Sequence, residues 1–287
     1  MGLFEAKFKD HNQFLFYDSL LDLDKSIPDS TFLKILKPYH EINTILGDNF
    51  SDKLRSFGHE VLNIQRLGCI NASLYLFKES EGFESLLKNI RKIAKKILKT
   101  NEQNPNFKIY VSQLYRYFSE LMIPHYIKRV SHSKITFQPK DLGDGQKSCD
   151  NIVFIDNKEI ALEITSISTK NKRNLDKKIK DIFETKGRAQ MSQTSDALLA
   201  IDLTKSGEQY FDIKKNQFLV KFPNWDYLRD LIRVELDKKM NSHLIGVVLI
   251  ANIIVEENLK CKLLYKLTLS ENINNSNTTI LTNLFSK

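Results

Sequence analysis

Apolar and polar positions alternate most cleanly between residues 149 and 167. Asn151 to Ile155 is apolar and rich in β-branched residues, Asp156-Asn157-Lys158 has the short polar side chains of a turn, and Glu159 to Thr165 is a second alternating run. The pattern predicts a β-hairpin. A period of two sets Glu159, Ala161, Glu163 and Thr165 on one face of the second strand, and Ile160, Leu162 and Ile164 on the other. Leu175, Ile179, Ile182, Phe183 and Ala189 then recur at helical spacing and predict a helix over 174–194. Asp196 to Thr204 reads as a buried strand. Strand, crossover helix and strand make a βαβ unit.

The flanking patterns differ on the two sides. Before residue 106 they are helical. One helix is expected from a Ser30-Thr31 cap through Leu46, with Pro38 breaking or kinking it. A second is expected from Ser51 through Phe77, and a third over 83–99, with Leu86, Leu87, Ile90, Ile93, Ala94 and Ile97 on one stripe. The polar, proline-containing stretch 101–106 reads as a linker. Phe107 to Val130 resumes as a helix that Pro124 should interrupt, and Lys134 to Gln138 is a short strand. After the βαβ unit come an edge strand at 218–222 and a helix from an Asn224 cap through Met240. Strands at 244–255 and 261–269 close the pattern, followed by an Asn- and Ser-rich tail expected to be partly disordered. The division this suggests is a helical domain at 1–106, for oligomerisation, substrate binding or regulation, and an α/β domain at 107–287.

Composition narrows the class. With 287 residues, 41% hydrophobic and 27% charged, the chain is long enough for a substantial core. The net charge of +8 and the pI near 9.1 are compatible with an anionic partner. Three widely spaced cysteines imply neither a disulfide framework nor a zinc cluster. The N-terminus has no secretory apolar core and no apolar run is long enough for a membrane span, so a cytoplasmic protein with no membrane partner is expected. P-loop, GxGxxG, CxxC and GxSxG motifs are absent, so a nucleotide-driven motor, a dinucleotide oxidoreductase and a serine hydrolase lack support.

Candidate chemistry centres on the hairpin. Asp150 begins its first strand and Glu163 lies near the end of its second, positions that an antiparallel pair can bring side by side. Two converging carboxylates repel each other unless a cation lies between them, and hard divalent ions take oxygen ligands in this way. Asp156 reads as turn chemistry, and Glu159 lies too far along the strand. Lys186 and Gln190 are four apart and should share a helix face.

An Asp, a hairpin and then Glu-x-Lys resembles the PD-(D/E)xK, or restriction-endonuclease-like, nucleases. Here the motif reads Asp150, then Glu163-Ile164-Thr165, with Thr165 where the family has lysine. Some members carry Glu-x-Thr. The run Lys186-Gly-Arg-Ala-Gln190 ahead of an Ile-Asp-Leu strand is similar to nuclease toxin domains of contact-dependent inhibition systems, and the likeness spans residues 107 to 270. It implies a mixed sheet flanked by helices, with Asp150 and Glu163 binding Mg²⁺ or Mn²⁺. It further implies that Lys186 supplies the missing lysine's charge, that Gln190 orients substrate or water, that Thr165 touches metal-bound water, and that Glu120, on the helix before the sheet, is a further acid reaching toward the metal. The expected activity is metal-dependent hydrolysis of phosphodiesters, with DNA favoured over RNA, in restriction or phage defence. The alternative is a catalytically inactive module of that fold that binds nucleic acid or a partner protein. A homodimer is a further candidate assembly.

Over 170–190, eight basic residues stand against three acids. This stretch is either a solvated helix face or a set of phosphate contacts, for which Lys170, Lys172, Lys177, Lys178 and Arg188 are the candidates. The basic face of helix 83–99 reads as a solvated surface. Tyr110, Tyr115, Tyr117 and Phe118 read as core, and the scattered histidines show no metal-ligand spacing.

Overall fold

The structure, a computed structural model, describes residues 12–17, 40–47, 50, 70, 73–100, 103–131, 133–137, 149–155, 158–167, 171–188, 191, 196–206, 208–212, 217–221, 224–257, 260–272, 275, 277 and 281. Its elements are β1 (Asn12–Tyr17), α1 (His40–Leu46), α2 (Phe83–Lys99), α3 (Pro105–Ser131), β2 (Lys134–Phe137), β3 (Asn151–Ile155) and β4 (Lys158–Ser166). They continue with α4 (Lys172–Ile182), a π-helical turn (Phe183–Arg188), β5 (Ala197–Asp202), β6 (Glu208–Asp212), β7 (Gln217–Lys221), α5 (Trp225–Leu236), β8 (Leu244–Glu257) and β9 (Lys260–Glu271). Among the described residues no helix is long and apolar enough to cross a membrane.

The fold is mixed α/β. Among the described residues seven strands form one sheet in the order β1-β9-β8-β5-β4-β3-β2. β4, β5 and β8 are parallel, and the pairs on either side of them are antiparallel. Strands at the parallel centre are covered on both faces, which is why Ala197–Asp202 is buried throughout rather than alternating. Successive side chains feed two different cores. Leu162, Ile164, Leu198, Ala200 and Val248 pack with the buried stripes of α2 and α3. Ala161, Leu199, Ile201, Val247 and Leu249 pack with α4 and α5. Residues on both sides of position 106 therefore share the first core, which runs from Ile42 to Leu281.

The hairpin β3–β4, the strand β2, the helix α2 and the closing pair β8–β9 lie where the periodicity predicts. Other elements depart from it. Asn12–Tyr17, in the stretch read as helical, is an edge strand on β9. Most of the two helices expected from residue 30 to residue 77 lies outside the described residues, which show α1 and a helical turn at 73–77. Pro124 does not interrupt α3, which continues through it to Ser131. A proline inside a helix removes one i→i−4 bond, here to the carbonyl of Glu120, and burial of Leu121, Met122, Tyr126 and Ile127 against the sheet offsets that loss. β7 pairs with β6 in a separate two-stranded ladder rather than edging the main sheet. Asn224 takes a left-handed conformation (φ 68) and its side chain makes no cap hydrogen bond; its carbonyl accepts from Leu228 N–H at 2.9 Å, and α5 ends at Leu236.

Parts of the tail are packed. Asn272 Nδ2 donates to the carbonyls of Asn241 and Leu244 at 2.9 and 2.8 Å, and Asn275 Nδ2 donates to Ser242 O at 2.9 Å. Asparagine amides here donate to backbone carbonyls of the turn before β8 and of its first residue. At the other margin, Gly82 caps α2 with φ 75, and a Cβ there would lie 1.7 Å from the carbonyl oxygen of Phe137. The neighbouring Glu81 carbonyl accepts from Phe137 N–H at 2.9 Å.

Candidate functional site

β3 begins at Asn151, opposite Leu162, while β4 runs on to Ser166. Beyond Leu162 the β3 side of β4 is therefore open, and the sheet has a notch. Carrying the register one residue further sets Asp150 opposite Glu163. Asp150 closes the notch by accepting the N–H of Ile164 at Oδ2, 2.8 Å. Its carboxyl lies close enough to that of Glu163 for each to shift the proton affinity of the other. Helix α3 enters the notch from one layer with Arg116 and Glu120, and the π turn enters from the other with Lys186.

Glu163 is fully buried, and Lys186 Nζ donates to its Oε1. Glu120 is also buried and accepts from Arg116 Nε at 3.0 Å. Three carboxyl groups thus share one desolvated space. Burial, followed by the charge of Asp150, pushes Glu163 up to about 8 against the pull of Lys186. The same two causes push Glu120 up to about 7 against the pull of Arg116 and Lys186. Asp150 is also raised, by burial, against the Ile164 N–H and the charges of Lys186 and Arg116. Burial and the nearby Glu163 and Asp150 charges lift the Cys149 thiol to about 12, which keeps it a neutral packing group rather than a nucleophile. Near neutrality the cluster therefore holds protons because its negative charge outweighs its two cations.

Arg116 is half-exposed, with its guanidinium at the rim of the notch. Burial works against its charge, but Glu120 and Asp150 raise it above the usual arginine range. The residue before Glu120 ties α3 to the sheet: Ser119 Oγ donates to Asp202 Oδ2 at 2.5 Å, at the end of β5. Asp202 also accepts from Thr204 N–H at 2.8 Å and from the Thr204 hydroxyl.

Of the residues read from the sequence, Asp150, Glu163 and Lys186 come together, and Glu120 joins them. Thr165 is half-buried, two residues beyond Glu163 on the same face. Lys177 and Lys178 are exposed on α4. The side chains of Lys172 and Arg188, and the whole of Lys170 and Gln190, lie outside the described residues. Lys186 lies in the π-helical turn Phe183–Arg188; the face it is expected to share with Gln190 falls outside the described residues. Sequence reasoning missed Arg116, although its i, i+4 spacing to Glu120 was a usable signal. It also missed Ser119–Asp202, a pair 83 residues apart that no local pattern reveals.

Among the described residues no group of three or more His, Cys, Asp and Glu side chains is arranged to hold a metal ion. The donor chemistry still suits a hard divalent cation: carboxyl oxygens only, desolvated, and three acids against the two cations Lys186 and Arg116, so that an ion could take the place of the protons they hold. No protein-family model, curated protein or solved structure matches the chain.

Proposed function

We propose that this chain is a divalent-metal-dependent nuclease of the restriction-endonuclease-like, PD-(D/E)xK class. It would hydrolyse phosphodiester bonds, with DNA favoured over RNA, in restriction or phage defence. The observation that carries this reading is the convergence of Asp150, Glu163 and Glu120 in the sheet notch, their proton affinities raised by burial and mutual repulsion. Asp150 and Glu163 would hold Mg²⁺ or Mn²⁺, with Glu120 as a third oxygen donor. A bound ion of this kind polarises a phosphate and lowers the pKa of its water.

The protein's own groups do the rest. Lys186 brings a positive charge to Glu163 from the π turn, where the family motif would bring it from position 165. The Thr165 hydroxyl, on the same strand face, can orient a water. Arg116 offers a half-exposed guanidinium at the rim, suited to a phosphate oxygen. Burial of all three carboxylates keeps bulk water from screening these charges.

One observation favours a second reading. Lys186 lies directly on a Glu163 oxygen that an ion would need, as expected of an inactive module that keeps the fold for binding. Both readings meet the same experiment: incubation of the purified protein with labelled DNA and RNA in Mg²⁺, Mn²⁺ or EDTA, alongside Glu163→Gln. The nuclease reading expects cleavage that needs metal and Glu163. Binding without cleavage in any metal selects the inactive module, and cleavage that persists in EDTA rejects the proposed chemistry.

A further inference from the structure

Helix α2 has two unlike faces. Its apolar stripe, from Phe83 to Ile97, is buried in the core shared with the sheet. The opposite face carries Lys88, Lys92, Lys95, Lys96 and Lys99, all exposed. At 100° per residue these five fall within about a third of the helix circumference, as a single ridge. The ridge is about 16 Å long at 1.5 Å per residue, close to five phosphate steps along one strand of a duplex.

A face that needs only to be wet usually intersperses acids among its bases, because i, i+4 pairs of opposite charge support a helix and like pairs weaken it. Here Lys88–Lys92, Arg91–Lys95, Lys92–Lys96 and Lys95–Lys99 are all like pairs. The sole acid of the helix, Glu84, is taken by Arg91. The helix thus carries repulsion that an anionic partner would relieve. Leu98 and Ile109 are also exposed, 39% and 53%, and Lys96 Nζ lies over the Tyr110 ring at 5.1 Å.

That last contact fixes how the ridge runs. α2 and α3 form a helical hairpin, so moving back along α2 moves forward along α3. With Lys96 level with Tyr110, the Lys88 end comes level with the turn of α3 that holds Arg116 and Glu120. We propose that this ridge is the docking track for the phosphate backbone of a nucleic acid whose scissile bond lies at the notch. The assignment of nucleic acid as occupant rests on the nuclease reading. An anionic membrane offers the same charge but gives no reason for the ridge to end level with a carboxylate cluster.

The test uses full-length protein in EDTA, where binding is read without cleavage. A labelled DNA duplex several helical turns long is titrated with wild type and with the quintuple variant K88Q/K92Q/K95Q/K96Q/K99Q, over about 50 to 200 mM salt. Glutamine matches lysine in helix propensity and removes the like pairs, so α2 should persist; far-UV circular dichroism checks this. The variant should bind at least tenfold more weakly at low salt. Its plot of log affinity against log salt should be shallower by roughly 0.9 for each lost contact, and the matching Lys→Arg variant should bind like wild type. Equal affinity and slope in the two proteins overturns the proposal, as does a wild type that binds no nucleic acid. Ridge-dependent binding to phosphatidylserine vesicles but not to DNA or RNA also overturns it. Loss of binding in the variant with no cleavage by wild type in any metal leaves the track standing and removes the nuclease reading. Cleavage with unchanged variant binding does the reverse.

Discussion

Asp196 and Glu163 are both buried acids of the central parallel strands, and the protein treats them in opposite ways. Asp196, just before β5, accepts two hydrogen bonds from Asn277 Nδ2 at 2.9 and 3.0 Å, and Asn277 Oδ1 in turn accepts from Lys158 Nζ at 2.8 Å. A tail residue is thus placed to meet this charge. Glu163, in the middle of β4, faces Asp150 and Glu120 instead, with Lys186 as its paired cation. A scaffold acid is answered by neutral donors that fix the chain, whereas the acids of the notch outnumber the cations beside them and hold protons near neutrality. Excess charge destabilises the isolated fold, and a ligand of opposite charge can remove that cost.

The largest effect should come from removing the excess. Glu163→Gln should lower metal-dependent cleavage by more than about 100-fold, beyond what outer-shell partners of a metal site usually cost. It should leave the melting temperature unchanged or higher, because a like charge has gone. A variant that unfolds instead would make Glu163 a scaffold acid like Asp196. Lys186→Ala should be next. It leaves Glu163 buried without its ion pair, so it should reduce both cleavage and stability, the latter by about 1–3 kcal/mol. The stability loss should shrink as pH falls through about 8, where Glu163 takes up its proton, and denaturant melts at two pH values either side would show this.

Asn277→Ala should invert the pattern, with about 1–3 kcal/mol lost from stability and no change in the cleavage rate per folded molecule. The smallest effect concerns pH. Glu163 and Glu120 sit at about 8 and about 7, above their ordinary value of 4.5, so the folded state keeps protons that the unfolded chain has released. The stability these groups contribute is fully present below 4.5 and is lost as pH rises through 7 to 8. Melting temperature in EDTA should therefore fall over that range in wild type and fall less in Glu163→Gln. A flat wild-type profile would show that the carboxylates are already balanced.

Strand alternation made β3, β4 and the face of Glu163 legible, because a period of two is a local property. It did not reveal that Glu163 is buried, which depends on α4 and α5 covering that face. Lys186 could be singled out, but not its place in a π-helical turn, because no residue pattern marks where an α-helix widens. Pro124 misled because local propensity yields to burial on both sides of it. Arg116 was overlooked because an arginine four residues from a glutamate looks like an ordinary surface pair until the helix is laid over a notch.

Gly82 bears on how this molecule avoids its own copies. β2 is the last strand of the sheet, and an uncovered outer strand is a template onto which another chain can add. The Glu81 carbonyl occupies Phe137 N–H, and the backbone at Gly82 lies against the Phe137 carbonyl so closely that a side chain cannot enter. The turn into α2 therefore seals the end of that edge nearest Asn151. Any larger residue at position 82 would push the turn away and expose that end to intermolecular pairing, so the expected harm of Gly82→Ala is self-association as well as lost stability.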